Sequence, residues 1–225
     1  MTNSVDVSSI LPLTDVQREL LEEATASYQA GMTDEAFDYL DKRGIDYQAQ
    51  DKFRLGVVGA EPFAGHSRFG GMISIPYLDA LGAPLALRFR CFVEHDHREH
   101  GHGKFMSVAE APPRLYNVGG IHRAAATGEA IYLTEGEFDC MVLEGLGLHA
   151  VAIPGVQTWR PYHRHMFAGF SVIKLVTDTD DEGEKLQARL MQAMPRAKPV
   201  RLPEKDVTDT LLAHGAEALL GLVTA

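Results

Sequence analysis

The chain has 225 residues, 45% hydrophobic and 23% charged. That mixture excludes a largely disordered polymer and is enough for one large core or two small ones. No apolar run reaches the ~18 residues of a membrane span, and the opening MTNSVDVSSILPLTD lacks the basic start and long apolar stretch of a secretory signal. Two cysteines, Cys91 and Cys140, exclude a disulfide framework and make the cytoplasm the expected compartment. The net charge of −10 is unevenly spread: −8 over residues 1–51, +3 over 52–123 with six of the ten histidines, and −5 over 124–225. The middle third suits a phosphate backbone and the last third suits cations, the plainer alternative being charges solvated on surface faces.

Residues 14–30 read as an amphipathic helix capped by Thr14 or Asp15 and stopped by Gly31, and a second helix, DEAFDYLDKR, opens at Thr33 or Asp34 and ends at Gly44. From 52 to 92, apolar runs (FRLGVV, GMISIPYL, PLALRFRCFV) alternate with Gly and Pro turns, which predicts a small mixed sheet with a hairpin connection over 78–83. Residues 93–104 are a polar, His-rich loop. From 130 onward, strands (AIYLTEG, HAVAIPG, VIKLVTDTD, KPVRLP) alternate with helices (FDCMVLEGLG, a stretch near 159–168, EGEKLQARLMQAM, VTDTLLAHGAEALLGLV). Alternation of this kind predicts a Rossmann-like parallel sheet covered on both faces. The fold class is therefore α/β, with a mixed α+β subdomain over 1–125 and a second domain over 126–225, the junction falling near 118–129.

The acids are placed where such a sheet binds ligands, outside the carboxyl ends of its strands. Glu135 follows one strand; Asp178 and Asp180 follow another, and the two-residue period of an extended segment predicts that both face one ion. Asp139 lies one helical turn after Glu135, and Asp206 and Asp209 follow the next short strand. Carboxylates raise one another's pKa unless a cation intervenes. An all-oxygen set favours Mg2+ or Mn2+, and two such ions can clamp both oxygens of a phosphoryl transfer. A lone Asp at a strand end has another use, capping the next helix.

Glu135-Gly136-Glu137-Phe138-Asp139 (EGxxD), Asp178-Thr179-Asp180 with Gly183 (DxDxxG) and Lys205-Asp206-Val207-Thr208-Asp209 together resemble the Toprim domain over about 129–215. That domain is shared by DnaG-type primases, topoisomerases, some nucleases and recombination mediators. Upstream, Tyr39-Leu40-Asp41-Lys42-Arg43-Gly44-Ile45, Lys52-Phe53-Arg54-Leu55-Gly56, Met72-Ile73-Ser74-Ile75-Pro76 through Leu87-Arg88-Phe89-Arg90, Gly103-Lys104-Phe105-Met106-Ser107 and Leu115-Tyr116-Asn117 resemble the catalytic core of DnaG-type primases, the short bacteriophage enzymes above all. Order and spacing agree over about 35–215. One position departs: the family's last acidic motif often reads E-D-x-D, whereas this chain reads Asp206-Val207-Thr208-Asp209.

The resemblance implies a nucleotidyltransferase, a DNA primase of replication that makes short RNA primers on single-stranded DNA from ribonucleoside triphosphates, in the host cytoplasm if phage-encoded. It implies Glu135, Asp178 and Asp180 as catalytic residues, Glu135 acting as base or as metal ligand. It implies Glu135, Asp139, Asp178, Asp180, Asp206 and Asp209 as ligands to two or more Mg2+ or Mn2+ ions. Lys52, Arg90 and Lys104 match its basic ridge for template and nucleotide phosphates, while Arg88 is expected to face away by strand alternation. Full-length relatives flank this core with a Cys/His zinc-binding module and a helicase-binding helical domain. Neither motif occurs in these 225 residues, so either a separate zinc-binding module and a replicative helicase are expected partners or these residues are part of a longer chain; no membrane partner is expected. A Toprim-type metal-dependent nuclease and a non-catalytic single-stranded-DNA-binding accessory are the rival readings.

Within CFVEHDHREHGH, Cys91, His95, His97 and His102, with His100 between, follow a Cys-x3-His-x-His-x4-His spacing that offers zinc ligands. An ordinary polar loop is the other reading. Trp159 and Tyr162 are read as packing residues rather than base-stacking ones.

Overall fold

The computed structural model describes residues 12–109 and 111–225; the signal-peptide reading concerns residues that lie mostly outside this range. Helix α1 (Asp15–Ala30) starts at Thr14, whose side chain and that of Gln17 cap each other's backbone amides. Helix α2 (Asp34–Asp41) is capped by Thr33. A third short helix, α3 (Tyr47–Lys52), capped by Asp46, follows where the sequence reading had none.

Four strands then form the first sheet: β1 (Gly56–Val57), β2 (Ile73–Leu78), β3 (Pro84–Arg90) and β4 (Phe105–Ser107), in the order β1-β2-β3-β4. Every pairing is antiparallel, so the sheet is a meander and not the mixed sheet expected. The β2–β3 turn falls at 78–83 as predicted, with Asp79 Oδ1 accepting the amides of Leu81 and Ala83. Along β3 the faces alternate: Leu87 and Phe89 pack under α1 with Ala24, Tyr28 and Phe69. Arg88 and Arg90 point to the opposite face.

Helix α4 (Val118–Thr127) runs across the expected junction, and its Ile121 and Ala124 join the core of the second sheet. That sheet comprises β5 (Ile131–Thr134), β6 (His149–Ala152), β7 (Ile173–Val176) and β8 (Lys198–Pro199), all parallel, in the order β6-β5-β7-β8. Its helices are α5 (Glu137–Gly145), α6 (Asp181–Ala193) and α7 (Val207–Thr224); the stretch Pro161–Phe167 is a run of 3-10 turns. One face packs Tyr132, Ala150 and Val176 against Met141 and Val142 of α5 and Leu219 of α7. The other packs Ile131, Leu133 and Leu175 against Leu186 and Leu190 of α6. Trp159 is buried in this second core, as read.

The two sheets are joined through Tyr116, which exchanges both backbone hydrogen bonds with Ala152 at 2.9 and 3.1 Å. The first core continues across the junction, from Leu40, Phe53 and Ile75 to Phe138 and Met141. Among the described residues no helix is long and apolar enough to cross a membrane.

Candidate active site

The strand order reverses direction between β5 and β7: the chain moves outward from β5 to β6, then crosses back to the other side of β5. A crevice opens at such a point, at the carboxyl ends of the strands. Glu135 leaves β5 here and Asp178 leaves β7. They line one cleft of about 320 Å3 with Asp139 and Asp206. Arg43, Arg88, Arg90 and Lys104 line the same cleft from the antiparallel side.

Two glycines let the acidic wall form. A Cβ on Gly183 would stand 2.0 Å from the carbonyl oxygen of Asp178, so the last position of DxDxxG tolerates no side chain. A Cβ on Gly136 would stand 2.7 Å from Asp139 Oδ2. Asp139, buried, accepts from the amide and the hydroxyl of Thr208, both at 3.1 Å, which ties the first turn of α5 to the first turn of α7. Glu135 Oε2 is buried and has no hydrogen-bond partner.

The electrostatics of this wall follow from crowding. Burial, then the nearby Asp206 and Asp178, push Asp139 up to about 8. Burial, then Asp178 and Asp180, push Glu135 up to about 7. Burial, then Asp206 and Asp180, push Asp178 up to about 6. A buried oxygen without a donor, among carboxylates that repel one another, is the signature of a set built to receive cations, and its all-oxygen chemistry fits a hard divalent ion.

Asp180 and Asp209 stand apart from this group. Asp180 does not line the cleft; its Oδ1 caps α6 by accepting the amides of Glu182 and Gly183, and its Oδ2 lies 3.4 Å from Lys205 Nζ. The capping bond from the Gly183 amide, together with Lys205, holds its pKa below the usual value against the opposing effect of burial. The two-residue period expected to aim Asp178 and Asp180 at one ion is broken because helix α6 begins immediately after Asp180. Asp209 is exposed, and its amide donates to Asp206 Oδ1 at 2.7 Å.

The basic wall is positioned by aromatic faces. The Arg90 guanidinium lies 4.5 Å from the ring centres of both Phe105 and Phe138 and donates to Tyr39 Oη at 2.6 and 2.9 Å. Arg88 lies 4.8 Å over Phe105 and pairs with Glu137 Oε1, which also accepts from Tyr77 Oη at 2.6 Å. Arg88 therefore faces the cleft beside Arg90, not away from it: residues two apart on a strand share a face. Arg43 lies 4.7 Å over the Tyr39 ring. Burial, then Arg90, Arg43 and Lys205, push the Lys104 pKa down.

Lys52 lies elsewhere. At the end of α3 it pairs with Glu144 Oε2 at 2.6 Å, on the far end of α5 from the cleft. The buried Glu144 also receives Arg123 at 2.7 Å, Asn117 Nδ2 at 2.8 Å and the Ala150 amide at 3.0 Å. Arg43 and Arg88 are the cleft residues that sequence reasoning did not assign. Arg43 was within reach, because it stands inside one of the quoted motifs, and Arg88 needed only the strand period counted correctly.

Comparison with known proteins bears on this arrangement. Residues 132–211 match the Toprim-like family model. The Gene 57 protein of Mycobacterium phage D29 is 28% identical over 153 residues, 68% of this chain and 97% of that protein. The Aquifex aeolicus primase structure, comprising zinc-binding and RNA polymerase domains, superposes with a TM-score of 0.76 at 20% identity. It covers 98% of this chain, which spans 63% of that chain's length. A DnaG primase catalytic domain solved bound to ssDNA gives a TM-score of 0.72 at 19% identity, covering 92% of this chain and 80% of the other. The chain thus carries a Toprim-like domain and has the fold of DnaG primase catalytic cores.

Proposed function

We propose that this chain is the catalytic core of a DNA primase, a nucleotidyltransferase that makes short RNA primers on single-stranded DNA. The observation that carries the reading is the pairing of walls across one cleft: crowded carboxylates on one side, and on the other crowded cations held by aromatic rings. A triphosphate that arrives with divalent cations satisfies both at once, its metal ions meeting the acids and its oxygens the bases.

Glu135, Asp139, Asp178 and Asp206 would hold Mg2+ or Mn2+, with Asp180 and Asp209 at the rim. The chemistry such cations supply is neutralisation of triphosphate charge and polarisation of the attacking 3′-hydroxyl. Arg43, Arg88, Arg90 and Lys104 bind and orient phosphates of nucleotide and template. Arg88 is itself oriented by Glu137 and Arg90 by Tyr39. Thr208 fixes the rotamer of Asp139, so the buried carboxylate presents its second oxygen towards Gly136 and the cleft. Glu135, with Oε2 buried and unpartnered, is free to take a cation or the hydroxyl proton. A separate zinc-binding module for start-site selection and a replicative helicase are the proposed partners; the Aquifex primase carries a zinc-binding domain beside its polymerase domain. The proposed division places the basic subdomain in 1–125 and the Toprim-like domain in 126–225.

Ribonucleotide incorporation on an unprimed single-stranded template with Mg2+ or Mn2+ tests the reading, run with and without an added primase zinc-binding module. Short, triphosphate-dependent RNA products are expected. Consumption of the labelled template without added triphosphates would instead indicate a nuclease. Salt-sensitive DNA binding with neither chemistry would indicate an accessory protein.

A further inference from the structure

We propose that Cys91, His95, His97 and His102 form a zinc site that clasps the loop between β3 and β4. Among the described residues this is the one group of three or more Cys, His, Asp or Glu side chains whose ligand atoms already converge, all four within 4.8 Å of one another. Its chemistry is one thiol and three imidazoles, a set that suits tetrahedral zinc. Zinc with bonds of about 2.3 Å to sulfur and about 2.05 Å to nitrogen would separate two such ligands by about 3.6 Å at the tetrahedral angle. Cys91 Sγ and His95 Nε2 lie 3.6 Å apart.

The surroundings fit the same assignment. His102 Nδ1 lies 3.1 Å from the Gly103 carbonyl, which places the proton there and leaves Nε2 as the lone pair, a common support for a metal-bound imidazole. His97 Nδ1 is buried without a hydrogen-bond partner. The rings stand against one another, His95 at 4.7 Å from His97 and 5.0 Å from His102 between centres. His100 is not one of the four: it stacks on His95 at 4.2 Å, and its Nδ1 faces the Asp96 carbonyl. The loop backbone closes around the cluster, with the His102 amide donating to the His97 carbonyl and Asp96 Oδ1 accepting the amides of Arg98 and Glu99.

The clasp sits at the root of the basic wall. Cys91 follows Arg90 directly, and its amide donates at 3.0 Å to the carbonyl of Lys104, which precedes β4. Zinc would thus hold the hairpin end that carries both cations. The ligand chemistry stands whether or not the cleft makes primers.

The untagged full chain, purified without chelator, tests this by elemental analysis, cobalt substitution and tryptic digestion. The expected result is about one zinc per chain, a tetrahedral cobalt(II) spectrum with a thiolate charge-transfer band, and slower cleavage after Arg98 with metal than without. C91S and H97A should each lose the zinc and keep the far-ultraviolet circular dichroism of the parent, and C91S should lose the charge-transfer band. D178N should keep the zinc, separating this site from the acidic cleft. A metal-free parent chain that gives no such cobalt spectrum overturns the proposal. So does zinc that persists in both C91S and H97A.

Discussion

Helix α5 carries three buried acids, and two of them, Asp139 and Glu144, one near each end, are treated in opposite ways. Glu144, in the last turn, is met by Lys52, Arg123, Asn117 and the Ala150 amide, so its charge is compensated from α3, α4 and β6. Asp139, in the first turn, is met by one threonine and faces other carboxylates. The first arrangement holds two halves of the molecule together. The second leaves a deficit that a proton or a metal cation can relieve, and a protein tolerates such a deficit where it binds something.

The largest effect that tests this contrast is on chemistry. Asp178→Ala removes an acid whose side chain has no hydrogen-bond partner among the described residues, so primer synthesis should fall by several kcal/mol of transition-state stabilisation, roughly 10^3-fold in rate. The metal-free melting temperature should hold or rise. Retained synthesis, measured as dinucleotide formation, would mean the cations are held elsewhere.

Next in size is the opposite exchange. Glu144→Ala removes the acceptor of the Ala150 N–H and of one of the two Asn117 Nδ2 hydrogens, the other keeping the Ala150 carbonyl, at about 1–3 kcal/mol each, so denaturant unfolding should show a loss of roughly 3 kcal/mol. Asp139→Asn should be neutral or stabilising in the metal-free protein while abolishing activity. If both substitutions destabilise equally, the two ends of α5 do not differ as argued.

A third effect is the coupling of cations to pH. Glu135, Asp139 and Asp178 have folded-state pKa values of about 7, 8 and 6, each above its ordinary value. The native state therefore holds more protons than the unfolded chain, and metal-free stability should fall as pH rises from about 4 to about 8. A divalent cation at 100 times its Kd should restore about 2.7 kcal/mol, some 5–10 °C in Tm. That gain should be larger at pH 8 than at pH 6, where protons compete. Calorimetry across this range with and without Mn2+ checks both signs.

The smallest effect concerns one cation of the basic wall. Arg43→Ala should weaken single-stranded DNA or nucleotide binding several-fold and lower the salt slope by about one, with the acidic wall untouched. An unchanged slope would remove Arg43 from the phosphate path.

Much of this was legible in the chain. The alternation after residue 130 gave the parallel sheet, because buried strands and covering helices differ in period. EGxxD and DxDxxG announced Glu135, Asp139 and Asp178; Gly183 is required by a close approach to the Asp178 backbone that no side chain survives, and Gly136 leaves room for the Asp139 carboxylate. What escaped was decided by competition between local and distant partners. Asp180 had two uses, ion and cap, and the amides of Glu182 and Gly183 claim it. Lys52 resembled a phosphate ligand, but α3, too short to show a periodicity, turns it towards a buried carboxylate 92 residues away. The convergence of four loop side chains on one point depends on turns around Asp96 and Gly101 that spacing alone does not specify.

Asp180 gives the molecule a built-in reporter. Its carboxylate secures the first turn of α6 through two backbone amides, a cap worth about 1 kcal/mol. An ion drawing on that side chain must loosen its grip on the turn, so filling of the cleft would be broadcast into a helix that runs thirteen residues along the far side of the sheet. The nuclear resonance signals of Glu182 and Gly183 would then register occupancy before any product is made.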